Sequence, residues 1–270
     1  MSIAVITGAS SGIGAEFVRT LFSEKGAFPK ETFEEVWILA RRNAQLEAIK
    51  DELSAFPIRV ISLDLLNQDD LSSFSLLLEK KSPDIKLLIQ CAGIGKTGSF
   101  LLMSPQNIQE QIMVNCTALS VMAHICLPYM IPFGKKTARK NGPMILHIAS
   151  SAGFLPQPNF SIYAASKAYV ISFSRALRKE LQEYNISVTT LCPGPVDTKF
   201  QEKASGQMGG TPKGFKAYFL VSAQKVAQKG LRAAKKRKSL VVYGLSQKAL
   251  HVLSKVLPHR VFIFFSSKIN

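Results

Sequence analysis

The sequence contains few acidic residues, few cysteines and a single tryptophan among its 270 residues. Its 34 Lys and Arg residues face 18 Asp and Glu residues, so the net charge is +16 at pH 7. Residues 199–270 hold 15 basic residues and one acid, Glu202. The positive electrostatic potential of such a chain predicts anionic partners, although charge alone does not determine a fold. With 47% apolar side chains, the chain is too hydrophobic for disorder and long enough to bury a sizeable core.

The four cysteines are far apart, lie in apolar runs and show no CxxC spacing, so we predict neither a metal site nor a disulfide framework. Reduced thiols are typical of a cytoplasmic protein. The first apolar run, Ile3–Ile6, is too short for a signal peptide and lacks a basic leader. No run approaches the roughly 18 consecutive apolar residues of a membrane span. We therefore expect a cytoplasmic chain that is neither secreted nor membrane-spanning.

Short apolar runs alternate with longer amphipathic segments, an order typical of βαβ units. Most of the short runs are continuously apolar, as expected for strands that helices cover on both faces. We therefore predict an α/β fold with a doubly wound parallel sheet. The predicted strands are Ile3–Thr7, Val36–Ala40, Arg59–Leu63, Lys86–Gln90, Met144–Ala149, Ser187–Leu191 and Leu240–Tyr243. The predicted helical segments include Gln45–Leu53, Leu71–Leu78, Ile108–Met130, Ala164–Leu181 and Val226–Ala234.

Two segments between these elements have an unusual composition. Gly134–Gly142 carries four Lys and Arg residues and no acid, which is typical of a solvated loop. Ser205–Gly214 contains four glycines and a proline. Because it follows the carboxyl end of a predicted strand, we interpret it as a mobile lid.

A glycine-rich turn follows the first predicted strand and precedes a helical pattern. The segment Thr7–Gly14 reads TGASSGIG. Glycines let the backbone approach a pyrophosphate, whose charge is stabilised by free N–H groups and by the positive end of the helix dipole. The strand before it and the helix after it indicate a dinucleotide site. The candidate residues are Gly8, Ser10, Ser11, Gly12, Ile13 and Gly14.

The end of the second predicted strand indicates which dinucleotide is bound. An acid there would accept hydrogen bonds from the adenosine ribose, but this sequence has Arg41 and Arg42. A guanidinium pairs with a 2′-phosphate, which a carboxylate would repel. We expect NADP(H) to be preferred over NAD(H), with Arg41 as the main phosphate contact and Arg42 stacked on the adenine. The alternative is that both arginines are ordinary surface residues.

Tyr163 and Lys167 lie one helical turn apart in the motif YAASK, so they share a face of a predicted helix. A cation about 4 Å from the phenol, at an effective dielectric constant of about 20, contributes about 4 kcal/mol. It would lower the phenol pKa from its usual value of about 10 and make Tyr163 a general acid for an oxygen that receives a hydride. Ser150, at the end of a predicted strand, would donate to the substrate carbonyl.

These motifs occur together with three others: CAG at Cys91–Gly93, Asn115, and PGPVDT at Pro193–Thr198. In this order and spacing, the chain resembles the short-chain dehydrogenase/reductase family over about residues 2–200. The resemblance implies an NAD(P)-dependent oxidoreductase with a Rossmann-type sheet. One departure is Cys91, where the family has an asparagine that ties neighbouring strands, so we expect a locally weaker sheet.

The resemblance also implies a role for each matching residue. Tyr163 would be the acid/base, Lys167 would lower its pKa and bind the nicotinamide ribose, and Ser150 would orient the carbonyl. Asn115 would help hold a water that relays protons to Lys167. The other implied cofactor contacts are Asp64 and Leu65 at the adenine, Ala92 and Gly93 along the adenosine ribose, and Pro193, Gly194, Val196 and Thr198 beside the carboxamide and diphosphate.

The substrate region begins where the resemblance fades, near Phe200. Aromatic and apolar residues there would line a lipophilic pocket or belong to the core: Phe200, Met208, Phe215, Tyr218 and Phe219. Two substrate classes stay open. One is a 3-oxoacyl thioester whose phosphates or acidic carrier would meet the basic residues of 225–236, and the other is a neutral, steroid-like ketone.

The apolar residues of segment 245–257 recur with a helical period, with Lys248 and Lys255 between them. This basic segment would pack on its own subunit or on a twin, or lie on an anionic membrane surface. We predict one domain over residues 1–270, with a cofactor-binding and catalytic core in 1–198 and a substrate lid and basic region in 199–270.

The partners expected are a small carbonyl or alcohol substrate and, from the resemblance, further copies of the chain in a homodimer or homotetramer. We found no helix-turn-helix or RNP motif, so we expect no nucleic acid. A function of a different class stays open as well: a non-catalytic NADP-binding redox sensor or membrane-surface protein.

Overall fold

Nine strands are present in the computed structural model, which describes residues 1–23, 27–29, 32–197, 200, 204, 220–258 and 260. They are β1 Ser2–Thr7, β2 Glu35–Ala40, β3 Ile58–Ser62, β4 Asp84–Gln90, β5 Met144–Ile148, β6 Ser187–Cys192, β7 Val196–Asp197, β8 Val221–Ser222 and β9 Leu240–Val242. Seven of them form one parallel sheet in the order β3-β2-β1-β4-β5-β6-β9. The short strands β7 and β8 form a separate parallel pair.

The described helices are α1 Gly12–Phe22, α2 Asn43–Glu52, α3 Gln68–Lys81, α4 Pro105–Ile112, α5 Leu119–Cys126, α6 Ile131–Lys136, α7 Ser161–Glu180, α8 Ala223–Lys235 and α9 Leu245–Val256. A π-helical turn, Met113–Ala118, joins α4 to α5. Short 3₁₀ turns cover Phe100–Leu102, Leu127–Tyr129 and Ser151–Phe154. Helices therefore connect the parallel strands along most of the chain.

Helices cover both faces of the sheet because successive residues of a strand point to opposite sides. In β1, Ala4 and Ile6 join the core beneath α1, α2 and α8, whereas Ile3 and Val5 join the core beneath α3, α5 and α7. All four side chains are completely buried. This two-sided burial is the reason that the strand sequences are continuously apolar rather than alternating.

The prediction of a doubly wound parallel sheet is confirmed, and all seven predicted strands occur with ends that differ by one or two residues. The predicted helix Ile108–Met130 is instead a series of α4, the π-helical turn, α5 and a 3₁₀ turn. Pro128 lies in that 3₁₀ turn, and it has no N–H with which to continue α-helical bonding.

The prediction of a loop over Gly134–Gly142 is wrong for its first three residues, which end α6. Gly134 lets α6 pack closely against Tyr184. A Cβ at this position would lie 2.2 Å from the Tyr184 carbonyl oxygen, so a larger residue would clash. The predicted lid Ser205–Gly214 lies outside the described residues. The proposed division of the chain at residue 198 stays a prediction.

Among the described residues, one helical run, Pro105–Tyr129, is long and apolar enough to cross a membrane by length and composition, with 25 residues and a mean hydropathy of 1.5. However, 44% of its most apolar stretch is buried inside the protein. Its buried residues include Val114, Asn115 and Met122, which contact other parts of the fold. We therefore interpret this run as a core helix.

Candidate active site

A crevice opens at the carboxyl ends of the strands, between β1 and β4. The strand order reverses there, because β2 and β3 lie on one side of β1 and β4 to β6 on the other, and connections leave in opposite directions. Gly8, Ala92, Ser150 and Pro193 follow β1, β4, β5 and β6 by one or two residues. The sheet therefore brings four motifs to one edge although they are far apart in the sequence.

The turn between β1 and α1 has no room for a side chain at two positions. Gly8 has a φ of +69°, and a Cβ on it would lie 2.6 Å from the Ala92 amide nitrogen. A Cβ on Gly14 would lie 2.1 Å from the Gly8 carbonyl oxygen. Both glycines are required so that α1 begins directly beside the end of β1, the arrangement in which a helix N-terminus receives a pyrophosphate.

The two hydroxyls of this turn contact Arg42. Its Nη2 donates to Ser10 Oγ at 2.9 Å and to Ser11 Oγ at 2.7 Å. Ser11 is the N-cap of α1, but within the described part of the chain its side chain makes no capping hydrogen bond. The first N–H groups of α1 are thus left for another acceptor, with a guanidinium beside them.

Arg41 contacts carboxylates rather than the turn. Its Nη1 lies 3.8 Å from Asp64 Oδ2 and 3.8 Å from Glu110 Oε1. These long pairs are exposed and contribute little stability, yet two carboxylates reduce the positive potential at Arg41. The contacts favour Arg42 as the arginine beside the glycine-rich turn, which is the reverse of the order expected from the sequence.

The end of β3 borders the same side of the crevice. Asp64 Oδ1 accepts a hydrogen bond from the Leu66 N–H at 3.0 Å, and the Asp64 N–H donates to Asp70 Oδ2 at 2.7 Å. Leu65 is half-buried against the core beneath α3. These bonds hold the Asp64–Leu65 segment at the predicted adenine position, although contact with a nucleotide stays a prediction.

Lys167 and Tyr163 lie together on the inner face of α7. Lys167 is 4% exposed, and its Nζ donates to the Ile148 carbonyl at 3.0 Å and lies 5.6 Å from the centre of the Tyr163 ring. Ser150 lies near enough to Tyr163 to affect its phenol, and its Oγ accepts the Ala152 N–H at 3.1 Å. The structure therefore brings these three predicted catalytic side chains together at the end of β5.

Burial is the largest cause of the pKa shifts of Tyr163 and Lys167. It raises the pKa of Tyr163 to about 12, while the neighbouring Ser150 acts in the lowering direction. Burial also lowers the pKa of Lys167 to about 8, and the neighbouring Cys91 opposes that change. Lys167 Nζ donates to the Ile148 carbonyl, and its expected lowering of the phenol pKa stays a prediction.

Asn115, in the π-helical turn, fastens the segment after β4 to α7. Its Nδ2 donates to the Ile94 carbonyl at 2.8 Å and to Ser166 Oγ at 2.9 Å, and its Oδ1 accepts the Ile94 N–H at 2.9 Å. A Cβ on Gly93 would lie 3.3 Å from both Asn115 Oδ1 and Lys167 Nζ. Asn115 thus holds Gly93 beside Lys167. Its implied role in holding a relay water stays a prediction.

The segment after β6 connects the Ser150 turn to α9. The Pro193 carbonyl accepts the Ser151 N–H at 2.8 Å. A Cβ on Gly194 would lie 2.9 Å from Gln247 Cγ in α9. Val196 is buried and begins β7. Thr198 lies outside the described residues, so its contact with the cofactor stays a prediction.

Two aromatic rings enclose Tyr163. Phe160 stacks on it with 4.3 Å between ring centres, and the Phe200 ring centre is 5.4 Å away. A Cβ on Gly95 would lie 2.9 Å from both Phe200 and Tyr163. The sequence indicates Phe200 but not Phe160, whose spacing of three residues before Tyr163 is the signal that it shares the same helix face. The other predicted lining residues lie outside the described part: Met208, Phe215, Tyr218 and Phe219.

The family model for short chain dehydrogenases matches residues 2–209 of this sequence. The chain belongs to the short-chain dehydrogenase family. This confirms the resemblance found in the motifs, and the family is one of oxidoreductases that act on alcohol and carbonyl groups.

Comparisons with individual relatives and solved structures agree with this family assignment. The chain is 32% identical over 207 residues to sulfoacetaldehyde reductase of Chromohalobacter salexigens, with 72% of each chain covered. A short-chain dehydrogenase from Sphingobium yanoikuyae in complex with NADPH superposes with a TM-score of 0.76 at 25% identity over 94% of both chains. A 3-ketoacyl-(acyl-carrier-protein) reductase from Brucella melitensis complexed with NADH shares the fold, with a TM-score of 0.72, 24% identity and coverage of 90% of this chain and 96% of that one.

The residues of this short-chain dehydrogenase fit a nicotinamide dinucleotide. At one end of the crevice, two glycines without room for a Cβ, the start of α1 and Arg42 form a cradle for phosphates. At the other end, Tyr163 and Lys167 stand beside Ser150. A nicotinamide cofactor is therefore supported.

Cys91 replaces the asparagine that is usual in this family. Its N–H donates to the Thr7 carbonyl at 3.3 Å, so the backbone itself keeps β1 and β4 connected there. Burial raises the pKa of the thiol to about 12, which keeps it uncharged near Lys167. A local weakening of the sheet stays a prediction.

Proposed function

We propose that this short-chain dehydrogenase interconverts a lipophilic ketone and its secondary alcohol, with Tyr163 as the general acid/base and NADP(H) as the preferred cofactor. The observation that carries the proposal is the meeting of the Tyr163 phenol, the Ser150 hydroxyl and the Lys167 ammonium at the end of β5. When bound, the reduced nicotinamide supplies the hydride that the carbonyl carbon receives.

The chain's own residues would handle the proton. Ser150 donates to the carbonyl oxygen and holds it near the phenol, and Tyr163 gives its proton to that oxygen as the alcohol forms. With a pKa of about 12, the phenol is fully protonated at neutral pH, so it is an available acid for reduction. In the direction of alcohol oxidation the phenol would have to lose that proton first, so we expect reduction to be favoured at neutral pH.

Lys167 would position the cofactor and help regenerate the acid. Its Nζ is buried between the Ile148 carbonyl and the Tyr163 ring, with Gly93 and Asn115 beside it. A pKa of about 8 lets this amine exchange a proton near neutral pH. We propose that it binds the nicotinamide ribose and passes a proton toward the phenol.

The aromatic rings around Tyr163 support a lipophilic substrate. Phe160 and Phe200 leave the phenol between apolar surfaces, which favour a carbonyl carried on a hydrocarbon body. A 3-oxoacyl thioester and a steroid-like ketone both meet this requirement. The relative named sulfoacetaldehyde reductase supports carbonyl reduction in general.

The preference for NADP(H) rests on the two arginines at the end of β2. The absence of an acid at residues 41 and 42 removes the repulsion of a 2′-phosphate, and Arg42 already reaches the serine hydroxyls of the glycine-rich turn. The relative from Sphingobium yanoikuyae, whose structure contains NADPH, supports the same choice.

Replacing Tyr163 with Phe tests the assignment of the acid. We expect a loss of turnover of about a hundredfold to ten-thousandfold, followed as the disappearance of NADPH with a panel of lipophilic ketones, and unchanged NADPH binding measured by fluorescence. Tyr169→Phe, on the exposed side of the same helix, is the matched control. Turnover that survives Tyr163→Phe rejects the acid, and NADPH binding without turnover of any ketone favours a redox sensor.

Self-association of the subunits stays a prediction. Ile112 at the end of α4, Met113 in the π-helical turn and Tyr169 in α7 are partly exposed, and such apolar residues suit contact between copies of the chain.

A further inference from the structure

We infer that the surface formed by α8 and the start of α9 docks on an anionic phospholipid membrane. This surface lies outside the catalytic crevice and its docking does not depend on the proposed reaction, whereas the uptake of a lipophilic substrate described below rests on the proposed function. It stands on two observations that the structure places side by side: a basic depression with no acid in its wall, and a helix that turns its apolar side to solvent.

The basic depression has a volume of about 610 Å³ and is walled by α8, β9 and the start of α9. Among the described residues, twelve line it, of which six are cations and none is an acid. The cations are Lys225, Lys229, Arg232, Lys236, Lys238 and Lys248. All six are exposed, and within the described residues none of them forms an ion pair.

Four of these cations form a stripe along α8 and its C-cap. Lys225, Lys229, Arg232 and Lys236 are spaced four, three and four residues apart, which places them on one helix face. The opposite face is buried against α1 and the sheet. Like charges at this spacing repel one another and weaken a helix. A stripe that destabilises its own helix is best explained by an anionic partner that neutralises it.

The adjoining helix α9 is amphipathic with its apolar side outward. Leu245, Val252 and Val256 are 83%, 60% and 74% exposed, respectively. Its inward face instead carries polar residues: Gln247 packs against Gly194, and the His251 ring lies 4.3 Å from the Phe154 ring. Because none of the residues of α9 is fully buried, its apolar side is left for another partner.

The two features are continuous, since Leu245 and Lys248 of α9 also line the basic depression. Phosphate headgroups would fill the depression while the apolar side of α9 enters the boundary between headgroups and acyl chains. A second copy of the chain suits this surface poorly, because it would bring two sets of six cations together. Charge complementarity therefore selects an anionic lipid surface as the occupant.

Docking through α8 and α9 would orient the enzyme so that a lipophilic substrate could enter from the membrane. Helix α9 contacts Gly194 and Phe154, which flank the Pro193 segment and the Ser150 turn. A membrane bound against its outer side would lie close to the crevice that holds Tyr163. The docked enzyme would thus take up substrate from the bilayer rather than from bulk water.

Sedimentation of the full chain with lipid vesicles tests the inference. We expect binding to vesicles that contain about a third phosphatidylserine, loss of binding at high salt, and none to vesicles of phosphatidylcholine alone. Each cation near such a surface strengthens binding about fivefold. The triple variant Lys229→Gln, Arg232→Gln, Lys236→Gln should therefore bind about a hundredfold more weakly.

The matched control removes three exposed lysines elsewhere, as Lys80→Gln, Lys81→Gln and Lys140→Gln. It should bind as the wild type does. No binding of the wild type to phosphatidylserine vesicles overturns the inference. Equal weakening by the two triple variants does so as well, because it would show attraction by net charge alone. Saturation of the depression by free inorganic pyrophosphate without vesicle binding would assign it to a soluble anion and overturn membrane docking.

A reporter on α9 tests the apolar contact separately. The natural Trp37 is fully buried, so Val256→Trp adds an exposed indole whose emission should shift to shorter wavelength on anionic vesicles. Leu76→Trp, at an exposed position of α3, is the matched control and should show no shift. No shift for Val256→Trp, or a change on dilution that indicates self-association instead, contradicts the inference.

Discussion

The two ends of the crevice differ in the burial of their polar side chains, which are buried at one end and exposed at the other. At the catalytic end, Tyr163, Lys167 and Asn115 are buried, and Lys167 and Asn115 bond to nearby backbone. At the end beside the glycine-rich turn, Arg41 and Arg42 are exposed, and the contacts of their guanidinium groups with described residues are to side chains. Burial changes pKa values and makes an unpaired group costly, whereas solvent weakens the same contacts at the surface. Substitutions at the first end should therefore alter chemistry and folding, and those at the second only the choice of cofactor.

After Tyr163→Phe, the largest effect is expected for Lys167→Met, which removes the buried charge. Turnover should fall about a hundredfold or more because the phenol loses its proton partner. The chain should nevertheless become more stable at neutral pH. The lowering of the lysine pKa from 10.5 to about 8 corresponds to a cost of about 3 kcal/mol, and the lost hydrogen bond to Ile148 offsets about 1 kcal/mol of the gain.

The stability gain of Lys167→Met should depend on pH in a defined direction. Because the unfolded chain binds the proton more tightly, the cost is fully present below about pH 8 and disappears above pH 10.5. Urea unfolding of variant and wild type at neutral and alkaline pH measures the difference. Lys179→Met, an exposed position of α7, is the control. A difference that stays constant with pH would contradict the burial argument.

Asn115→Ala should destabilise the fold by about 3 kcal/mol, since it leaves the Ile94 N–H and carbonyl without their partners near the centre of the protein. The free energy of unfolding in urea checks this value. Asn107→Ala, at a partly exposed position of α4, should change it by less than about 1 kcal/mol. Equal losses of unfolding free energy for Asn115→Ala and Asn107→Ala would contradict the claim that the buried polar group contributes more stability than the exposed one.

Arg42→Ala should raise the KM for NADPH about tenfold, as expected for the loss of one charge-assisted hydrogen bond of about 1.5 kcal/mol. The KM for NADH should change little, because NADH lacks the 2′-phosphate. Initial rates with both cofactors measure the ratio. An unchanged preference for NADPH would refute the role of Arg42.

The smallest effect is expected for Arg41→Ala, at about threefold or less in the KM for NADPH. Asp64 and Glu110 stand near this guanidinium and reduce its attraction for a phosphate. The same initial-rate measurements compare it with Arg42→Ala. A larger effect at Arg41 than at Arg42 would restore the order expected from the sequence.

Much of the fold was predictable because the strands are buried on both faces. Continuous apolar runs such as Ile3–Ile6 have few alternatives to a covered parallel strand. The interruption of the long helix at the π-helical turn was not predictable from the hydrophobic pattern. In that turn Asn115 contacts Ile94, which is 21 residues away in the sequence and therefore outside any local pattern.

The candidate site was predictable to a similar extent. The glycine-rich turn and the Tyr163–Lys167 spacing are local patterns, so the sequence contains them in full. The pairing of Arg42 with Ser10 and Ser11 spans more than 30 residues, and the acids beside Arg41 come from the segment after β3 and from α4. Their contacts follow from how the elements pack, which no local pattern records.

The sequence by itself determined the order of strands and helices, the glycine-rich turn and the choice of candidate catalytic side chains, because each depends on neighbours within one turn or one strand. Tertiary structure alone decided the pKa values of Tyr163 and Lys167, the arginine that meets the turn, and the outward apolar side of α9. Those properties depend on desolvation and on distances between remote segments, and both arise only when the sheet and its helices are assembled.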